Sequence, residues 1–206
     1  MKKILFTTIL LVISSVALVA VGYRAVVAQD GHIYIRADGS VEYGHVDGTP
    51  PIKRNGDLYT LTSAAACIVI QRSNIVLDGG SYSIASTAHD VAINVSMVSN
   101  VTIKNARFVL CQTGVYCDNS SFNNIINNVF SSNGFAIDFN DNCQNSLVKS
   151  NLFVENEFGV RLVSACYNAV INENDFSNNR IAIGIEKNCD YGQIVKNNMT
   201  SITGFC

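Results

Sequence analysis

The sequence predicts an all-β fold: a single-stranded right-handed parallel β-helix of about six coils, each of roughly 22–25 residues. Three observations predict it. A motif of small residue, aliphatic, any residue, aliphatic begins at Cys67, Ala92, Gly114, Ala136, Gly159 and Ala182, at spacings of 25, 22, 22, 23 and 23. At a step of 23, Asn128, Asn151, Asn174 and Asn197 align, as do Asn133, Asn156 and Asn179, and Phe130, Phe153 and Phe176 followed by Met199. At the same step Asp138 meets Arg161, Glu157 meets Arg180 and Glu173 meets Lys196, each pair opposite in sign as neighbouring strands prefer. A fixed period of this length is the signature of a solenoid, and the unit is too short for two helices.

The chain opens with a targeting segment, residues 1–28. Lys2 and Lys3 precede an uncharged apolar run from Ile4 to Gly22, and "VVA" ends at Ala28. This predicts a signal helix cleaved before Gln29 or an uncleaved N-terminal membrane anchor. Either way the rest is exported, extracellular or on the cell surface. Four glycosylation sequons, at Asn94, Asn100, Asn119 and Asn198, are compatible with export.

Composition excludes two classes. The chain is 48% hydrophobic and 15% charged, far from the signature of disorder. Without Lys2, Lys3 and Arg24 the 14 basic residues fall to 11 against 16 acids, so the exported part is mildly acidic and not built to hold nucleic acid.

Residues 30–66 form an opening and capping segment, with turns at "ADGS" and "NGD". Residues 67–206 are the coils. Stacked coils lie about 4.8 Å apart, close enough for each asparagine amide to bond the one above and below. Asparagine also tolerates the left-handed backbone of tight corners, so the aligned asparagines are read as corner residues. Along the first strand of each coil, alternation sends Val115, Cys117, Ile137, Phe139, Val160, Leu162, Ile183 and Ile185 inward. Tyr116, Asp138, Arg161 and Gly184 then point outward. No capping segment is visible at the C-terminus, and an uncovered last coil exposes strand edges, so truncation, a partner or self-association is expected there.

Cys143, Cys166 and Cys189 recur at the same step of 23 and stack in one corner. Three readings stand: small buried corner residues, as the serines of "NSSFNN" suggest; one disulfide, which export permits; or a soft-metal site for Cu(I). Cys67 and Cys117 are read as packing residues.

No catalytic residue is assigned. His32, His45 and His89 are scattered in sequence. Glycosidases need two carboxyls on a shared cleft, and lyases need acids that hold Ca²⁺ near a basic residue, whereas Asp118, Asp138, Asp141 and Glu186 fall mostly one per coil. The outer row is the best ligand surface. Tyr116 can stack on a sugar ring, Asp138 and Arg161 can bond hydroxyls, and Asn140 and Glu186 lie one position beyond the strand. The plain alternative is an exposed Asp138–Arg161 ion pair.

The segments "IYIRADGSVEYGHVDGTPPIKRNGDLYTLTS" and "IVIQRSNIVLDGGSYSI", with coils such as "AIDFNDNCQNSLVKSNLFVEN", resemble the NosD-like parallel β-helix repeats of exported archaeal or bacterial surface proteins, over residues 33 to about 200. The resemblance implies the fold. It also implies a place among carbohydrate-binding and sugar-hydrolysing β-helices, or in periplasmic copper-site maturation. The expectation is therefore an exported, non-enzymatic scaffold without cofactor that binds polysaccharide or another envelope component. The alternatives are a polysaccharide lyase or glycosidase using Ca²⁺, and a copper-handling protein.

Overall fold

The structure is a computed structural model that describes residues 32–44, 48–86 and 90–204. The expected signal or anchor helix lies outside the described residues. Among the described residues there are only strands, and no helix is long and apolar enough to cross a membrane.

The strands are short because a corner interrupts the chain every few residues, and they stack into three sheets forming a parallel β-solenoid of about six turns. The first sheet carries the repeat motifs on Ile68–Ile70, Val91–Ser96, Thr113–Asp118, Phe135–Phe139, Phe158–Val163 and Ile181–Glu186. Its register pairs Ile68 with Ile93, then Val115, Ile137, Val160 and Ile183, so each coil lies one motif above the last. The second sheet includes Asn124–Ile126, Leu147–Lys149 and Val170–Asn172, and the third Val129–Ser131, Leu152–Val154 and Asp175–Ser177.

The N-terminal end is built differently. Ile33–Ile35 and Leu58–Leu61 lie parallel against the first and second sheets. Val41–Tyr43 and Ile52–Asn55 then fold back antiparallel as the outermost strands. The opening segment thus adds strands to two sheets, and its hairpins occupy the edges that would otherwise be open templates.

Inside, Phe108, Phe130, Phe153 and Phe176 stack face to face, with centroids 4.6, 5.0 and 4.5 Å apart. Phe108 extends the column one coil below the repeat seen in the sequence. Two asparagine columns flank it. In one, the backbone N–H of Asn128, Asn151 and Asn174 each donates to the side-chain oxygen of the asparagine above, at 2.9 Å. The amide nitrogens donate to carbonyls of the coil below, at Ile103, Ile125 and Val148. The column Asn133, Asn156 and Asn179 repeats this arrangement at the next corner.

Of the two reasons expected for asparagine, the amide ladder between coils is found, while the left-handed backbone is not at the ladder positions. The left-handed residue is the one before each ladder asparagine: Asn127, Ser150, Glu173 and Lys196 in one column, Ser132, Glu155 and Asn178 in the other. Those residues are exposed or half-buried and chemically varied. The ladder asparagines sit one position on, buried except for the half-buried Asn197, where a side-chain amide donates to one coil and accepts from another along the stack.

Ile185 was expected inside but is 48% exposed, because no described strand covers it. Ile194, Val195 and Met199 are exposed at the same end.

Candidate functional site

The outer face of the first sheet brings the sequence-predicted row together. Tyr116, Asp138 and Arg161 are direct register neighbours, with Gly184 above. Arg161 is shared between two acids: its Nε donates to Glu186 at 3.0 Å, and its Nη1 lies 3.6 Å from Asp138. The guanidinium also sits 5.2 Å from the Phe135 ring. The Asn140 amide donates to the Tyr116 hydroxyl at 3.2 Å and toward Asp118 at 3.4 Å.

Asp138 is not the exposed partner the sequence suggested. It is 8% exposed, flanked in register by Tyr116 and Arg161, and its Oδ1 has no hydrogen-bond partner. Burial raises its pKa above the ordinary 3.8, and Arg161 only partly opposes this. Between the ordinary and the raised value the folded protein holds more protons than the unfolded chain, so stability falls as pH rises through that window. Asp138→Asn is expected to remove this fall. Urea midpoints of the two proteins should converge at acid pH, with the variant the more stable at neutral pH. A wild-type protein that gains on Asp138→Asn with rising pH would contradict the buried-carboxyl reading.

The corner between the first and second sheets holds the sulfur row. Cys143 and Cys166 are fully buried, Cys189 is partly covered, and all three are free thiols. Each thiol caps the corner by donating to the carbonyl three positions back: Cys143 to Asn140 at 2.8 Å, Cys166 to Val163 at 3.4 Å and Cys189 to Glu186 at 2.9 Å. In the preceding coil Ser120 takes this slot, fully buried, but its hydroxyl donates to the Val98 carbonyl of the coil below rather than to one three positions back. Serine therefore fits the slot with a different bond. Packing alone does not call for sulfur in three successive coils.

The middle sulfur differs electrostatically from its neighbours. The side-chain interaction between Cys143 and Cys166 lowers the Cys166 pKa, and the same interaction followed by burial raises that of Cys143. Burial raises Cys189 and the nearby Cys117. A lowered thiol between two protonated ones supplies the thiolate that a metal needs. Asn140 joins the two features, because its carbonyl receives the Cys143 thiol while its amide holds Tyr116.

A third cluster was not seen in the sequence. His32, described as scattered from the other histidines, meets Cys67 and Asp90, and one ligand atom of each lies within 4.8 Å of the other two. Ile33 N–H donates to the Cys67 carbonyl at 2.8 Å, which sets His32 beside Cys67. Burial, then Asp90 and Cys111, push the Cys67 thiol up to about 11. The available signal was the long first repeat, from Cys67 to the next motif at Ala92, whose extra length precedes Val91.

Comparison with known proteins places the repeats. The family model described as periplasmic copper-binding protein (NosD) matches residues 55–204. No curated protein and no solved structure matches.

Proposed function

The chain belongs to the NosD family, and from that membership we propose that it is an exported β-solenoid that carries Cu(I) on the sulfur row Cys143, Cys166 and Cys189. The family is periplasmic, which fits export. We take the winding as right-handed, the sense that parallel crossovers almost always adopt.

One observation carries the copper reading: sulfur replaces the sufficient serine at one corner position in three successive coils. Thiolates are the soft ligands that select Cu(I). Stacked positions about 4.8 Å apart suit sulfurs on either side of one ion. The lowered Cys166 acts as the first ligand, and Cys143 joins on losing its proton. Copper here is cargo, held by side chains in place of their corner hydrogen bonds.

The test is anaerobic titration of the reduced protein with Cu(I) against a competing chelator. The expected result is stoichiometric binding that Cys166→Ser weakens by about a hundredfold, with the variant still folded because Ser120 fills this slot naturally. No stoichiometric binding, or equal affinity in Cys166→Ser, would overturn the proposal.

A second reading keeps the outer face as a contact for polysaccharide, favoured by the half-buried Tyr116 and Arg161 lying in one outer row. Binding to a polysaccharide array that is lost in Tyr116→Ala and Arg161→Ala would support it. Binding unchanged in both variants would sink it.

A further inference from the structure

The cluster His32, Cys67 and Asp90 lies at the corner between the third and first sheets, in the earliest coils, apart from the sulfur row. Two departures from the repeat meet there. The slot of Cys67 is Ala or Gly in the five later repeats, at Ala92, Gly114, Ala136, Gly159 and Ala182. Asp90 belongs to the longest of the repeats, in the stretch that precedes Val91. Regular packing needs neither a thiol nor an acid at these places.

The geometry is that of a ligand set. His32 Nε2 lies 3.5 Å from Asp90 Oδ2, close to the roughly 3.5 Å that separates ligands around a tetrahedral metal with bonds of about 2.0–2.3 Å. Asp90 Oδ1 is occupied by the Val91 N–H at 3.2 Å, which leaves Oδ2 facing the histidine. The Cys67 backbone is fixed in the sheet, and the residue is 7% exposed at the floor of the cluster. His32 and Asp90 are half-exposed and form the rim through which an ion enters. An exposed His–Asp pair alone would be worth at most about 1 kcal/mol.

We propose that His32, Cys67 and Asp90 form a binding site for a divalent borderline transition metal, with one coordination position left open. Imidazole, thiolate and carboxylate together suit Zn²⁺ or Co²⁺, and three protein ligands with a free fourth position describe an accessible site rather than a closed structural one. The site is independent of the Cu(I) row. The protein thus carries two sites of different softness at different corners of one solenoid.

The test uses the full chain with Cys143, Cys166 and Cys189 changed to serine, so that failure of the copper reading does not affect it. Co²⁺ is titrated and followed by absorption. The expected result is one Co²⁺ per chain, with a sulfur-to-cobalt charge-transfer band and the intense visible bands of a four-coordinate ion. Zn²⁺ should displace it. Cys67→Ala, a residue this slot accepts elsewhere, should abolish the charge-transfer band, while His32→Ala and Asp90→Asn should each weaken binding at least about tenfold. Absence of stoichiometric Co²⁺ binding by the folded protein, survival of the band in Cys67→Ala, or equal affinity in His32→Ala or Asp90→Asn would each overturn the assignment.

Discussion

Phe153→Ala is expected to destabilise the solenoid by about 3–5 kcal/mol, the cost of deleting a buried aromatic ring when the surroundings cannot close over the cavity. Closure is blocked on both sides. Phe130 and Phe176 stand 5.0 and 4.5 Å away in the same column, each on a strand hydrogen-bonded to the neighbouring coil. The corner beside the column has no slack: a Cβ on Gly159 would come within 2.7 Å of the Phe176 ring, and one on Gly114 within 3.0 Å of Phe130. In a domain of this size each kcal/mol moves Tm by about 2–4 °C, so the variant should melt roughly 10 °C lower. A loss under about 1 kcal/mol in urea unfolding would mean that the column is not the core.

Asn151→Ala should cost a comparable amount by a different route. The side chain accepts from the Asn128 backbone N–H at 2.9 Å and donates to the Ile125 carbonyl at 2.8 Å. Alanine orphans both backbone groups where water cannot reach, at about 1–3 kcal/mol each. Asn168 provides the control. It bonds to Asn145 at 3.2 Å in an exposed ladder, and Asn168→Gly, which keeps the left-handed backbone at φ 56° without strain, should change stability by less than about 0.5 kcal/mol. Equal effects at Asn151 and Asn168 would show that burial does not set the ladder's worth.

These residues also show what the sequence could and could not reveal. Period and register were legible, because stacking makes each coil's residues meet their counterparts, and the charge pair Asp138–Arg161 is found in register. The family resemblance, read over residues 33 to about 200, agrees with the match over 55–204. The inner workings of the corner were less legible. Left-handed backbone and buried amide fall on adjacent residues, and a run such as Asn127–Asn128 does not say which is which. The burial of Asp138 was hidden because alternation gives direction but not what covers an outward side chain; neighbours in adjacent coils do that. The His32–Cys67–Asp90 cluster was hidden for a further reason. His32 and Cys67 stand further apart in sequence than one repeat period, and they meet only because the antiparallel hairpins intervene between their strands.

The copper reading depends on sulfur in the corner rather than on the fold, and X-ray absorption at the copper edge tests it most directly. Cu(I)-loaded protein is predicted to show a first shell of sulfur alone, from two or three cysteines, that disappears in Cys143→Ser/Cys166→Ser. A shell of nitrogen and oxygen, or one unchanged in that double variant, would contradict it.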